Sequence, residues 1–392
     1  MTDAVDTASI VELLTALVRL PSRGGIDACT PVLECVEAWF AARGVGTRRL
    51  LCADGEPLAL YAEIRGASPR PHYVLNATLD TAGFGDESTW TWPPLSAQVV
   101  DGWLHGRGSA DSKAAVAIFA HLAVAFARRA DSFAGTLGVL FDLDEHTGRF
   151  GGARAFFDET SAPKPDGVFI GYPGIDRIVV GARGFMRAKL VVRGVAAHSG
   201  ASSTRGLNAA TRGARLAAAL SDTSLPFDHA FGRAAQLTVT GIRAGDGTFT
   251  RVPERCELDI DCRLTPDFDA AHAQRVIEGM VREQDATYDA SLATSIEWLP
   301  GWPAYRMTDS HPLASALYHA ANDELGAKRA CVVAGPSNIG NYLASLGIPA
   351  LCGFGVQCAG IHAADERIEL ASIAPVYRIY ERALLALLAA AN

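Results

Sequence analysis

Apolar residues recur at helical spacing over 8–20 (ASIVELLTALVRL), which predicts a helix whose apolar face is interrupted by Glu12 and Arg19. A second helix is expected near 31–43, starting at Thr30-Pro31, where proline suits a helix N-terminus. Strand-like runs follow at 58–64 (LALYAEI) and 72–80 (HYVLNATLD). After Gly106-Arg107-Gly108 a long Ala-rich helix is expected over 112–128. It is followed by a strand over 135–144, a helix over 151–157 and a strand over 167–172. Strands that alternate with helices imply a largely parallel sheet covered on both faces.

Near residue 181 the texture changes. RGFMRAKLVVRG alternates, a helix is expected over 207–221, and AAQLTVTGIRAG and ERCELDIDCRL read as strands. A helix over 268–284 and a strand in TSIEWLPG complete a β-α-β-β-α-β order, which fits an α+β sandwich of about 110 residues. After about 303 the α/β texture returns, with a helix over 311–325, a strand over 329–333, a helix over 337–346, a strand over 349–354 and a terminal helix over 370–390. The expected architecture is an α/β domain split between 1–180 and 301–392, with an inserted domain at 181–300.

Composition narrows the classes. A chain of 392 residues gives each of two domains a sizeable core. Hydrophobic residues at 49% and charged residues at 20% are ordinary for a soluble globular protein. A net charge of −8 without long Lys/Arg runs argues against nucleic acid, which demands clustered cations. The apolar run Ala114–Ala127 is too short and too Ala-rich to span a bilayer, and no secretory signal opens the chain. The eight scattered cysteines, without a CxxC pair, read as buried thiols in a reducing compartment. The expected setting is the cytoplasm, with no membrane partner.

Candidate chemistry sits at strand ends, where open α/β sheets place their sites. HYVLNATLD ends in Asp80, and GRGSADSK brings Asp111 to a helix start, where a capping role is the plain alternative. DLDEHTG sets Glu145 and His146 just past another strand, where they could simply be solvated, and IHAADE places His362 in a late loop. GRGSADSK lacks phosphate-loop spacing, and no G-x-S-x-G elbow is present.

Together, W-x-x-P-P-L at 90–95, D-G-W-L-H-G-R-G-S-A-D-S-K at 101–113, D-E-H-T-G at 144–148, G-V-A-A-H-S-G at 194–200, D-C-R-L-T-P at 261–266 and H-A-A-D-E at 362–366 resemble the M20 family of metallopeptidases and amidohydrolases. The resemblance runs from about residue 8 to 388 and implies a zinc-peptidase-like split catalytic domain with an inserted ferredoxin-like lid that mediates homodimerisation. It also implies a two-zinc site. One zinc would use the positions held here by Thr78, Asp111 and Tyr172, of which Thr78 and Tyr172 are poor ligands. The other would use Asp111, His146 and His362, two imidazoles and a carboxylate with a position open for water. The resemblance assigns Glu145 as general base, Asp80 as its neighbour in the catalytic set, and His198 as the residue that stabilises the oxyanion. It places Arg263, Thr250, Ser337 and Asn338 in substrate binding, with the family's N-x-I-P element replaced by Thr250-Arg251-Val252-Pro253.

The expectation is therefore hydrolysis of an amide in an N-acyl amino acid or small peptide with one zinc per chain. Cobalt, manganese or no metal remain open. Two alternatives keep the fold: an amide-forming, cyclising or acyl-transfer enzyme that works without metal, and a catalytically silent ligand-binding protein.

Overall fold

The computed structural model describes residues 4–158, 164–201 and 206–389 of the chain. They form two compact units: 1–181 with 307–332 and 338–392, and 182–306 with 333–337.

The first unit is built on a six-stranded sheet in the order Thr47–Leu51, Pro57–Arg65, Thr136–Asp142, His72–Thr78, Gly167–Ile170, Ala350–Leu351. The last four strands run parallel to one another, and the first two are antiparallel, so the sheet is mixed and largely parallel. Every residue of Thr136–Asp142 is buried, which is why that strand reads as a nearly continuous apolar run rather than an alternating one. The Ala-rich helix Ala114–Ala127 lies in this core and buries Val116, Ile118, Phe119, Leu122 and Phe126. The longer stretch Ser109–Ala127 that contains it is apolar enough to cross a membrane, yet 83% of its most apolar window is buried inside the fold. Truncating Phe119 to alanine would cost about 3–5 kcal/mol. Helix Thr7–Val18 turns Ile10, Leu13, Leu14, Leu17 and Val18 to the core, the spacing of a single helical stripe, and Asp6 caps it by accepting the Ser9 N–H at 3.0 Å.

Register brings the site together. Thr78 pairs with Asp142 and Asn76 with Ile170, so three parallel strands end side by side. Asp80, the Glu145-His146 turn and Tyr172 all leave that one edge of the sheet. Just beyond, helix Gly151–Phe157 packs so tightly that a Cβ on Gly152 would stand 2.4 Å from the Leu58 carbonyl oxygen.

The second unit has a four-stranded sheet in the order Gln236–Ala244, Arg255–Leu264, Gly184–Arg193, Ser295–Trp302, with every pair antiparallel. With helices Ala209–Ser221 and Ala270–Asp285 it follows the predicted β-α-β-β-α-β order. Burial alternates along Arg255–Leu264, and its inward residues join Leu190, Leu216 and Ile277 in a separate core.

Several boundaries differ from the sequence pattern. The first strand of the site stops at Thr78, and the Leu79 N–H makes a last bond to the neighbouring strand, to the Asp142 carbonyl oxygen at 2.7 Å. The Ala-rich helix begins at Ala114, because Asp111 and Ser112 are non-helical. The predicted strand over 349–354 shrinks to Ala350–Leu351, and the last helix runs Ile373–Leu387, its expected end at 390 lying outside the described residues. Residues 333–337 group with the second unit. A small sheet of Gln98–Val100, Trp103–His105, Arg367–Glu369 and Cys358–Ala359 has no counterpart in the sequence reading. Its strands are too short to show a period. All eight cysteines are free thiols.

Candidate metal centre

Asp80 is fully buried and turns its carboxylate to the neighbouring strand end. Oδ1 accepts the Glu145 N–H at 3.2 Å and Oδ2 the His146 N–H at 2.9 Å. Oδ2 also lies 3.4 Å from His146 Nδ1. The Thr78 hydroxyl donates to the Asp80 carbonyl oxygen at 3.3 Å and meets Ser112 Oγ at 3.4 Å, so it is used inside the protein. From the other side Gly24 closes in: a Cβ there would sit 2.9 Å from Asp80 Oδ2 and 3.3 Å from His146 Cβ.

Asp111 lies in the segment Ser109–Lys113, ahead of the long helix, with φ −119° and ψ 90°. It caps nothing: residue 113 occupies the N-cap, with no side-chain cap bond, which corrects the expectation of an aspartate anchored by helix N–H groups. Glu366 positions it instead. Its Oε1 accepts the Ala110 and Asp111 N–H groups at 2.9 and 3.1 Å. Its Oε2 pairs with Arg107 Nη1 at 2.6 Å, and Arg107 Nη2 donates to the Ala363 carbonyl oxygen at 3.0 Å. Arg107 and Glu366 are both buried, so a single ion pair fixes the Asp111 segment against the loop that carries His362. In that loop His362 and Asp365 take left-handed φ of 59° and 57°. Non-glycine residues adopt that region at a cost that surrounding contacts must offset. Asp365 accepts both the N–H and the hydroxyl of Thr91 at 2.8 Å, which supplies such contacts.

The result is a cluster of Asp111, His146 and His362, whose candidate ligand atoms lie within 4.8 Å of one another. Among the described residues it is the only group of three or more His, Cys, Asp or Glu so arranged. Asp111 Oδ2 is 3.0 Å from His362 Nε2 and 3.5 Å from His146 Nε2. Contacts of 3.4–3.5 Å at His146 are ionic approaches rather than formed hydrogen bonds. Accordingly Asp111 Oδ1, His146 Nδ1 and His146 Nε2 are buried without a hydrogen-bond partner. Each such orphan costs about 1–3 kcal/mol. Two imidazoles and a carboxylate are a donor set suited to zinc, and a cation among them would satisfy the unpaired atoms. The residues therefore fit a metal.

Burial works against the Asp111 carboxylate, but His146 and His362 beside it hold its pKa well below the usual range. Burial alone would lower His146; Asp111 and Asp80 on either side of the ring outweigh it and raise it well above 6.5. A metal competes with that proton, since a ligating imidazole must be neutral.

Glu145 adjoins the cluster. Its Oε2 lies 3.5 Å from His146 Nδ1, and its Oε1 accepts a hydrogen bond from the Tyr172 hydroxyl. Burial pushes Glu145 up to about 7; His146 opposes that shift, and Asp111 and Asp80 add to it. Burial, then the Glu145 and Asp111 charges, raise Tyr172 well above 10, so it remains a neutral phenol. Asp142, missed in the sequence, braces the same turn by accepting the Asp144 and Ala153 N–H groups at 2.7 and 2.5 Å. Its signal was a charge near the end of the apolar run GTLGVLFDLD, two residues before Asp144. Arg107 and Gly24 had no comparable signal, because their partners are remote in sequence.

In the second unit His198 and Thr250 come together: Ala197–His198 pairs with Arg251–Val252, and the Ser199 N–H donates to the Thr250 carbonyl oxygen at 2.8 Å. His198 is exposed, and its Nδ1 accepts the Gly200 N–H at 3.1 Å. Arg263 pairs with Asp261 at 2.7 Å and reaches Ser337 Oγ at 3.4 Å, while that hydroxyl donates to the Arg183 carbonyl oxygen at 2.6 Å. Arg183 is lowered in pKa by burial and by the neighbouring guanidiniums of Arg263 and Arg233. Asn338 belongs to the first unit, where its buried carboxamide caps helix Ile339–Ser345 by accepting the Gly340 N–H at 2.8 Å.

The chain is similar to known proteins over nearly its whole length. The succinyl-diaminopimelate desuccinylase of Hahella chejuensis is 27% identical over 99% of both chains. That of Bordetella petrii is 28% identical over 96% of this chain and 97% of its own. Among solved structures, an M20 family metallo-carboxypeptidase from Sulfolobus solfataricus superposes with a TM-score of 0.77 at 19% identity, covering 98% of this chain and 99% of that one. A dinuclear metal binding peptidase of the M20 family from Bacillus subtilis gives 0.71 at 16% identity, covering 97% and 98%. The model of peptidase family M20/M25/M40 matches residues 74–386, and the chain belongs to that family.

Proposed function

We propose that this chain, an M20-type amidohydrolase or peptidase, cleaves an amide bond in an N-acyl amino acid or small peptide with one zinc ion. Asp111, His146 and His362 would hold the metal. The observation that carries this assignment is the three-residue cluster with its unpartnered buried atoms, set beside Glu145. The hydroxyls of Thr78 and Tyr172 are meanwhile spent on hydrogen bonds within the protein.

When bound, the metal supplies Lewis acidity, which lowers the pKa of water and polarises a carbonyl. Glu145 is the general base: with Oε1 occupied by Tyr172, Oε2 takes the proton of the attacking water and later delivers it to the leaving amine. Asp80 acts through the turn, holding the Glu145 and His146 N–H groups. Because His198 Nδ1 accepts a backbone N–H, the ring hydrogen lies on Nε2, a donor suited to a developing oxyanion. Arg263, Thr250, Ser337 and Asn338 are assigned to substrate binding. The guanidiniums of Arg263 and Arg233, close enough to Arg183 to help lower its pKa, favour with it a substrate bearing a carboxylate. The names of the succinyl-diaminopimelate desuccinylases describe removal of an acyl group of that kind. A homodimer formed through the second unit and a cytoplasmic location complete the proposal.

The test is release of free amine from a panel of N-acyl amino acids, N-succinyl-diaminopimelate and dipeptides by zinc-loaded protein. Turnover of at least one, abolished by chelation and restored by zinc, is expected; no turnover on any would overturn the proposal.

One observation favours a second reading, an acyl-transferring or amide-forming enzyme without metal. The His146 ring lies between Asp80 and Asp111 at 3.4 and 3.5 Å, an arrangement that an imidazolium also satisfies. Amide synthesis by metal-free protein would establish it.

A further inference from the structure

We propose that Tyr172 is a positioning residue for Glu145, fixing the base so that a single carboxylate oxygen faces the reacting water. This role rests on Glu145 acting as general base in hydrolysis.

Two anchors hold Glu145. Its N–H is bound by Asp80 Oδ1 at 3.2 Å and its Oε1 accepts the Tyr172 O–H, so only Oε2 is left, 3.5 Å from His146 Nδ1. Without the phenol the carboxylate is free to rotate about its last torsion, a broad and nearly unrestrained one. It would then turn towards the His146 ring and leave the water.

Tyr172 is itself rigidly placed. The Gly171 N–H donates to the Asn76 carbonyl oxygen at 2.8 Å, which ties the segment to the strand that leads to Asp80. On the other side Gly174 and Gly355 exchange contacts with residues 356 and 174, the Gly174 N–H reaching the Val356 oxygen and the Gly355 N–H the Gly174 oxygen, both at 2.9 Å. The approach is so close that a Cβ on Gly355 would stand 2.5 Å from the Tyr172 carbonyl oxygen. A side chain carried by so fixed a backbone can hold its partner within the few tenths of an ångström that proton transfer requires.

A buried tyrosine hydroxyl needs an acceptor, and a backbone carbonyl would suffice. Tyr380 takes that course, donating to the Phe354 carbonyl oxygen at 2.5 Å. Tyr172 instead donates to the carboxylate beside the metal cluster, so its hydrogen bond acts on the chemistry rather than on the core.

Tyr172→Phe removes the hydroxyl and keeps the ring. The expected result is a kcat lower by about 10- to 100-fold, the scale of a misplaced general base, with KM within about twofold. Metal per chain should be unchanged. Tyr380→Phe should leave kcat within about twofold. An unchanged kcat in Tyr172→Phe would overturn the role, as would loss of metal, which would make Tyr172 a ligand. An equal fall in Tyr380→Phe would also overturn it, since core loosening would then account for both. If the wild-type protein hydrolyses nothing, the general-base assignment fails and this role with it. Wild-type turnover with an indifferent Tyr172→Phe sinks this role alone.

Discussion

Two sides of Glu145 carry polar side chains of similar number and very different readiness. On one side Asp111, His146 and His362 converge, with a carboxylate oxygen and both nitrogens of one ring left without hydrogen-bond partners. On the other, Thr78 and Tyr172 point hydroxyls at internal acceptors, the Asp80 carbonyl and Glu145 itself. Unsatisfied buried donors and acceptors are costly, so the first side is incomplete without a cation or a proton. The second is complete as it stands. The contrast teaches that neighbouring polar side chains can differ in whether the fold already satisfies them. Here the Thr78 and Tyr172 hydroxyls belong to a hydrogen-bond scaffold around Asp80 and Glu145.

The contrast can be broken in several ways. The largest effect is expected from Glu145→Gln, which keeps the Tyr172 contact and removes the base. We expect kcat to fall by about 10²- to 10⁴-fold with metal content unchanged, measured by amine release and elemental analysis. Full activity would instead leave Glu145 a spectator, as the silent-binding alternative requires. Next, His146→Ala and His362→Ala should each weaken zinc by more than about 100-fold, since a three-residue site loses a ligand. Competition with a chromophoric chelator reads this directly, and unchanged affinity in both would dissolve the cluster as a metal site.

Glu366→Gln probes the frame beneath the first side. It leaves the buried Arg107 guanidinium uncompensated, and breaking such a pair costs about 3–5 kcal/mol in denaturant unfolding. Zinc affinity should fall by about 10- to 100-fold as Asp111 and His362 drift apart. Stability lost without a change in zinc affinity would confine Glu366 to folding. The smallest effect belongs to the second side. Thr78→Val forfeits one hydrogen bond, worth about 1 kcal/mol, and should leave zinc per chain as it was. Loss of zinc in Thr78→Val would erase the distinction between the two sides.

Much of this was legible in the chain. Long periodic segments such as 8–20 and the buried strand 135–144 announced their elements, because burial on one or two faces imposes a pattern that sequence alone displays. Asp111, His146 and His362 could be singled out through the motif resemblance, and the fold brings them together. What could not be read were relations between residues far apart in the chain. Arg107 and Glu366 are 259 positions apart, and neither has a local pattern that names its partner. The small sheet that sets the His362 loop is made of strands two or three residues long, below the length at which alternation shows. Tyr172 was legible as a poor metal ligand, while its bond to Glu145 depends on two strand ends lying in register.

The most direct test of the one-metal account is zinc per chain, by elemental analysis of protein purified without chelator or metal-affinity tag and then incubated with excess zinc and desalted. Asp111, His146 and His362 predict one equivalent. Two equivalents would mean that the Thr78 and Tyr172 side also takes a metal, and none would mean that His146 holds a proton between Asp80 and Asp111 instead; either result would contradict the account.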